Sequence, residues 1–178
     1  TASDRYAAVL VREPRSLFRA IPTSTGRHAS AAIFRLPRSP LRVCAISAHA
    51  QAWDAEARRE YTRDLVDWAL GKDFDVVLLA GDFNFEGASD PGREVLLHTD
   101  RRLDREAYNY VTRHFRDLGR DGGETSLLGR RIDYIFARGA KLQVKRVAVL
   151  RGRATGRMDH DPLVVDALIP KPVLVSRH

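Results

Sequence analysis

Six residues of this chain pair reactive side chains with positions that close strands: His49, Asp82, Asn84, Asp133, Asp159 and His160. Asp82 and Asn84 end the run VVLLAGDFN, which starts at Val76 with the unbroken apolar, β-branched character of a strand covered on both faces. Side chains alternate along a strand, so Asp82 and Asn84 point to the same side and can act together. His49 closes RVCAISAH, Asp133 sits just inside RIDYIF, and Asp159 and His160 precede PLVVDAL. Four such polar strand ends imply one shared site, because strand ends in α/β sheets expose side chains without disturbing the core. The set holds two imidazoles, three carboxylates and one carboxamide, with no serine nucleophile motif, phosphate-cradling glycine loop or HExxH beside it. Carboxylates and amides are hard oxygen donors matched to Mg²⁺, Mn²⁺ or Ca²⁺. The expected chemistry is metal-assisted attack of water on a phosphate ester.

The elements that must position these residues follow from the period of the apolar positions. Short runs at Tyr6–Arg12, Ser30–Leu36 and Leu41–His49, separated by Pro, Ser, Thr and Gly, predict an antiparallel meander. From Asp54 the spacing of Ala57, Tyr61, Leu65 and Trp68 predicts a helix, with Gly71 as a left-handed cap and Glu56, Arg58, Arg59, Glu60, Arg63 and Asp64 on a solvated face. VVLLAGDFN is the central strand. Ser89-Asp90-Pro91 predicts a short helix to Leu97, and Ala107, Val111, Phe115 and Leu118 predict a longer one over Asp104–Leu118, stopped by Gly119. RIDYIFA, LQVKRVAVL and PLVVDALI are three further strands. The sum is a layered α/β sandwich with two mixed, largely antiparallel sheets flanked by helices, as one domain over residues 1–170 with a tail at 171–178.

Composition is consistent with one globular core: 178 residues, 44% hydrophobic and 30% charged, with no apolar run near the ~20 residues of a membrane span. A single cysteine, Cys44, excludes an intrachain disulfide and a thiolate metal cage, and its setting in RVCAIS predicts a packed strand residue. The net charge of +7 is uneven: Arg113 to Arg157 holds 12 Lys or Arg against 4 Asp or Glu, a net of +8. A local basic field attracts polyanions such as DNA or RNA, although arginine supplies 26 of the 30 cations, a bias that coding preference would also produce.

GDFN (Gly81–Asn84), RIDYIF (Arg131–Phe136) and MDHDPLVV (Met158–Val165), in that order behind a strand ending in His49, resemble the endonuclease/exonuclease/phosphatase superfamily over essentially the whole chain. The resemblance implies the two-sheet fold of deoxyribonuclease I, a phosphate-ester substrate and a divalent metal, Mg²⁺ or else Mn²⁺ or Ca²⁺. It implies that Asp82 positions the attacking water, also as a metal ligand, and that Asn84 donates to a phosphate oxygen. His160, held in one tautomer by Asp133, would face the scissile phosphate. His49 would protonate the leaving oxygen, Asp159 would be a metal ligand, and Arg27 would approach a substrate phosphate.

Each residue also has a purely structural reading. Asp82 could cap its turn, Asn84 could brace a loop, Asp133 could pair with Arg130 or Arg131, Asp159 could be a turn residue, and His49 could be a satisfied strand end. His28, His98 and His114 read as surface or partly packed, and Trp53, Trp68 and Tyr108–Tyr110 as core or helix surface. The chain departs from the family pattern in lacking an opening strand with Asn and a second strand ending in Glu, the main metal ligand; Glu13 lies too close to Arg27 to replace it. Met158 also stands where a small Ser or Thr is usual. The expectation is a carboxy-terminal portion of a longer enzyme, the alternative being a chain that has lost part of its metal site and binds phosphate or nucleic acid without turnover.

Overall fold

The computed structural model describes residues 8, 10–13, 15–37, 39–87, 100–139, 142–152 and 159–169. Within them the strands are β1 (Leu17–Pro22), β2 (His28–Arg35), β3 (Arg42–His49), β4 (Val76–Asp82), β5 (Arg116–Asp117), β6 (Asp133–Gly139), β7 (Gln143–Val149) and β8 (Leu163–Leu168), with helices α1 (Ala55–Leu70) and α2 (Arg101–Thr112). Six strands form one mixed sheet in the order β1-β2-β3-β4-β6-β5, and β7 and β8 form a second, antiparallel sheet. The two-sheet α/β architecture is thus the expected one, except that only the larger sheet is mixed. Its single parallel pair, β3 with β4, is joined by α1, because parallel neighbours need a crossover and a helix of 16 residues supplies it.

The register fixes the site. His49 lies opposite Asp82 across the parallel pair, and Asp82 lies opposite Asp133 across β4 and β6. Directly paired residues share a face and sit ~5 Å apart, so three of the reactive residues form one row across the sheet. Gly81 makes that row possible: with φ of 136°, a Cβ there would meet the Ala48 carbonyl oxygen at 2.0 Å.

The helices cover one face of the large sheet. Tyr61, Leu65, Val66 and Ala69 of α1 and Ala107, Tyr108 and Val111 of α2 pack on Cys44, Ile46, Leu79 and Phe136. Beneath the end of β4, Phe83, Phe85, Tyr108, Tyr134 and Phe136 form an aromatic cluster, with Tyr134 and Phe136 stacked at 5.1 Å. On the opposite face Val43, Val76, Leu118 and Ala137 meet Val165 and Ile169. None of the described helices is long and apolar enough to cross a membrane.

Several expectations are corrected. Leu10–Arg12 are not in a strand, and residues 6, 7 and 9 lie outside the described residues; the edge strand is Leu17–Pro22 instead. Only Ile21 of that strand is buried, so its position rests on backbone pairing with β2, which leaves no apolar alternation to read. Helix α2 begins at Arg101, because Asp100 caps the amides of Arg102 and Leu103, and it ends at Thr112. Phe115 and Leu118 are buried as expected, but beyond the helix, where β5 pairs with β6 and Leu118 N–H donates to the Ile135 carbonyl. Gly71 caps α1 with φ of −73°, outside the left-handed region. Arg58, expected on the solvated face, is fully buried. The Ser89–Leu97 helix, His98, Met158 and the 171–178 tail lie outside the described residues.

Candidate active site

A crevice of about 500 Å³ opens at the ends of β3 and β4, lined among others by His49, Asp82, Asn84, Asp159 and His160. Asp133 reaches it through His160: Nδ1 of the imidazole lies 2.8 Å from Asp133 Oδ2. A carboxylate partner places the proton on Nδ1 and leaves Nε2 toward the crevice. That hydrogen bond, with the negative charges of Asp133, Asp82 and Asp159, outweighs burial and raises the His160 pKa from 6.5 to about 9. His160 is therefore an imidazolium at neutral pH.

Asp82 is shifted for a different reason. Burial, reinforced by Asp133, pushes its carboxyl up to about 6, against the pull of His160 and two hydrogen bonds from Asn84. The Asn84 backbone N–H donates to Asp82 Oδ1 and its Nδ2 to Asp82 Oδ2, while Nδ2 also donates to the Ala50 carbonyl. Asn84 holds a positive φ of 54° without being glycine, a conformation that asparagine tolerates better than most residues. The geometry thus makes Asn84 a brace for Asp82 and commits its amide hydrogens within the protein. His49 Nε2 lies 3.7 Å from Asp82 Oδ2 on the other side.

Asp159 neighbours the crevice with its side chain 85% exposed and its Oδ1 3.7 Å from His160 Nε2. Arg27 is not among the residues that line the crevice. Its guanidinium lies behind the chain that follows β3, donating to the carbonyls of His49 and Ala50 and to Gln51 Oε1. Arg130 and Arg131, the structural alternatives for Asp133, are engaged elsewhere, with Glu86 and Asp117 respectively, each at 2.6 Å. His28 is exposed, and His114 packs edge-on to Tyr110.

Three further residues support the site. Thr125 is fully buried; its Oγ1 accepts from the amides of Ile132 and Asp133, and its carbonyl accepts from Asp161 N–H. One residue, through its hydroxyl and its backbone carbonyl, thereby ties the backbone carrying Asp133 to the backbone carrying His160. Arg58 donates to the carbonyls of Gln51 and Ala52 while pairing with buried Asp104 of α2 at 2.7 Å. Arg58 had a readable signal, since it falls on the same helical period as Tyr61 and Leu65; Thr125 in its polar loop had none. Arg130, nine-tenths buried, lines the crevice and has an Nη2 with no hydrogen-bond partner among the described residues.

The oxygen donors of Asp82 and Asp159 suit a hard divalent ion in kind but not in number. Among the described residues no group of three or more His, Cys, Asp or Glu side chains is placed to hold a metal ion. The described residues therefore do not by themselves form a metal site.

The architecture is that of a layered α/β protein with a polar crevice at its strand ends. The chain matches the Endonuclease/Exonuclease/phosphatase family over residues 6–176, and it belongs to that family. Solved structures with the same fold include an endonuclease/exonuclease/phosphatase from Beutenbergia cavernae, at 20% identity and a TM-score of 0.61 over 86% of this chain and 44% of that one. The human Nocturnin catalytic domain with bound sulfate is similar at 18% identity and a TM-score of 0.61, over 88% and 60%. The inositol polyphosphate 5-phosphatase domain of SpSynaptojanin, in complex with inositol (1,4)-bisphosphate and calcium ion, is similar at 20% identity and a TM-score of 0.55, over 83% and 52%. The chain thus spans between 44% and 60% of the length of these three structures. No curated protein sequence matches it.

Proposed function

We propose that this chain hydrolyses phosphate esters in the crevice, with phosphodiesters of the nucleic-acid type as the leading substrate class. The observation that carries the reading is the row His49, Asp82 and Asp133 in sheet register, with His160 held on Asp133 at 2.8 Å. The His160 imidazolium faces the non-bridging oxygens, where negative charge grows as phosphorus becomes five-coordinate. Asp82, buried enough to hold a proton at about pH 6, takes one from the attacking water. The bond from phosphorus to the leaving oxygen breaks, and His49 delivers the proton that oxygen needs. Arg130 Nη2 offers a donor for a phosphate oxygen. The local net charge of +8 over residues 113–157 favours a nuclease within this class.

Family resemblance implies a divalent ion, Mg²⁺ before Mn²⁺ or Ca²⁺, which Asp82 and Asp159 would help to hold and which would polarise the phosphate. The test is hydrolysis of bis(4-nitrophenyl) phosphate by the full chain, with Mg²⁺, with Mn²⁺ and with chelator. His160→Ala should lower kcat by roughly 10²- to 10⁴-fold, as expected for removal of an acid–base or charge-stabilising group. Turnover surviving both chelation and His160→Ala would falsify the reading. A second reading, a noncatalytic phosphate- or nucleic-acid-binding module, is favoured by the shortfall of grouped metal-ligating side chains among the described residues. It predicts salt-sensitive binding of polyanions with no turnover under any metal condition.

A further inference from the structure

Trp53 is 65% exposed, an uncommon position for the largest apolar side chain, and it stands on the wall of the crevice. The chain that carries it is tightly held. Over Gln51 and Ala52 both carbonyls accept from Arg58, which is itself buried against Asp104. Over His49 and Ala50 both carbonyls accept from Arg27. Asp54, the next residue, caps α1 through the Ala57 amide. Two arginines thus hold the carbonyls of four consecutive residues, His49 to Ala52, and the helix cap holds Asp54, so the exposed indole of Trp53 is flanked by fixed backbone on both sides. Such rigidity is a property of binding surfaces, where it lowers the entropy lost when a ligand docks.

Leu128, 55% exposed, lines the same crevice with Ile132, so an indole and aliphatic side chains contribute to a crevice whose polar part holds His160 and Asp82. Among the described residues the lining holds one arginine or lysine, Arg130, whose Nε is engaged by Glu86. Arg130 Nη2 and the His160 imidazole offer donors for a single phosphate beside the apolar wall. A flat, weakly polar group attached to a single phosphate fits the combination.

We propose that Trp53 is a stacking plate for the nucleobase next to the phosphate held in the crevice, so that the site takes nucleotide esters. The proposal deepens the phosphate-ester reading and rests on it for the phosphate seat. Every base has a π-face, so the plate selects for a base without selecting which one.

The test is calorimetric binding of 5′-AMP, ribose 5-phosphate, adenosine and inorganic phosphate to the full chain, with Trp53→Ala, Trp53→Phe and His160→Ala. AMP should bind about five- to a hundredfold more tightly than ribose 5-phosphate, the span that one stacked base provides. Trp53→Ala should abolish that preference and leave ribose 5-phosphate affinity unchanged, while Trp53→Phe keeps most of it. His160→Ala should weaken AMP, ribose 5-phosphate and inorganic phosphate alike. Equal affinity for AMP and ribose 5-phosphate in the unsubstituted chain overturns the proposal, as does a preference that survives Trp53→Ala. Trp53-dependent binding to phosphatidylcholine vesicles without an AMP preference overturns it in favour of a lipid. If phosphate affinity ignores His160→Ala while adenosine binding still requires Trp53, the plate stands and the phosphate seat falls. The two readings therefore fail separately.

Discussion

Thr125→Val removes a hydroxyl and little else, since valine has nearly the same shape. In the native fold the Thr125 Oγ1 accepts from Ile132 N–H at 3.2 Å and Asp133 N–H at 3.1 Å. Both amides lose that acceptor in the variant, at a residue that is fully buried. A buried donor left without its partner costs about 1–3 kcal/mol, so the pair should cost on the order of 2–4 kcal/mol once some relaxation is allowed. Urea unfolding reads this directly, as a lower midpoint with an unchanged slope. Thr125→Ser restores the hydroxyl and should lie within ~1 kcal/mol of the parent chain.

The same substitution tests whether Thr125 also aligns the site. Asp133 begins β6, and its carboxylate fixes His160; the Thr125 carbonyl anchors Asp161, the residue after that imidazole. If the threonine sets the relation between the two strands, the low-field proton resonance of His160 Nδ1–H should vanish or exchange faster in the valine variant and persist in the serine one. Where turnover is measurable, kcat should fall by up to ~10²-fold with KM nearly unchanged, the penalty for a misplacement of about 1 Å. A valine variant that is destabilised yet keeps the resonance and kcat would refute alignment and leave Thr125 a purely structural residue.

Other substitutions probe the framework. Gly81→Ala forces a Cβ into the Ala48 carbonyl, so it should cost ~3 kcal/mol or more in urea unfolding and separate His49 from Asp82. Arg58→Met alone should cost about 3–5 kcal/mol by stranding Asp104, whereas Arg58→Met with Asp104→Leu should recover most of that in the same assay. His160, with a folded pKa of about 9 against 6.5 for the free imidazole, stabilises the fold fully below pH 6.5 and loses that contribution as pH rises through 9. Urea midpoints measured across this window should fall by the equivalent of roughly 2–3 kcal/mol, and His160→Gln should flatten the curve. Asp82, raised from 3.8 to about 6, disfavours the fold once ionised, so its effect is a decline in stability as pH rises from 3.8 through 6, which Asp82→Asn should remove.

The strands that carry the site were legible because burial on two faces writes itself as unbroken apolar sequence, as in β4 and β6. Their polar ends stood out against it, and the pairing of Asp133 with His160 followed the family pattern. What was hidden depended on partners far along the chain. β1 is held by its backbone and shows no apolar alternation. The end of α2 is decided by the competing ladder of Arg116 and Asp117 with β6, while Phe115 keeps the helical spacing in sequence. Arg58 looked like surface by its charge, although its spacing from Tyr61 and Leu65 points inward, because the buried carboxylate that pairs with it lies 46 positions away. Arg27 resembled a substrate contact, and its carbonyl partners could be known only once the loop after β3 was in place.

The two hidden arginines explain why a strand end can serve as a precise site. Leaving β3, the chain runs through Ala50, Gln51 and Ala52 before the Asp54 cap of α1, a stretch with no ladder of its own. Arg27 reaches it from the start of β2, and Arg58 reaches it from the first turns of α1 with Asp104 of α2 behind it. The carbonyls that would otherwise face solvent or bend toward the crevice are thus held by two arginines, one of them fixed in turn by the Asp104 carboxylate. Ala50 closes the arrangement: its N–H donates to the Asp82 carbonyl at 2.8 Å, and its own carbonyl accepts from both Arg27 and Asn84. The imidazole of His49, the carboxylate of Asp82 and the indole of Trp53 are consequently referenced to one short piece of backbone. A disturbance at Arg58 should therefore reach both the His49 and Asp82 end of the crevice and its aromatic wall, although Arg58 lines neither.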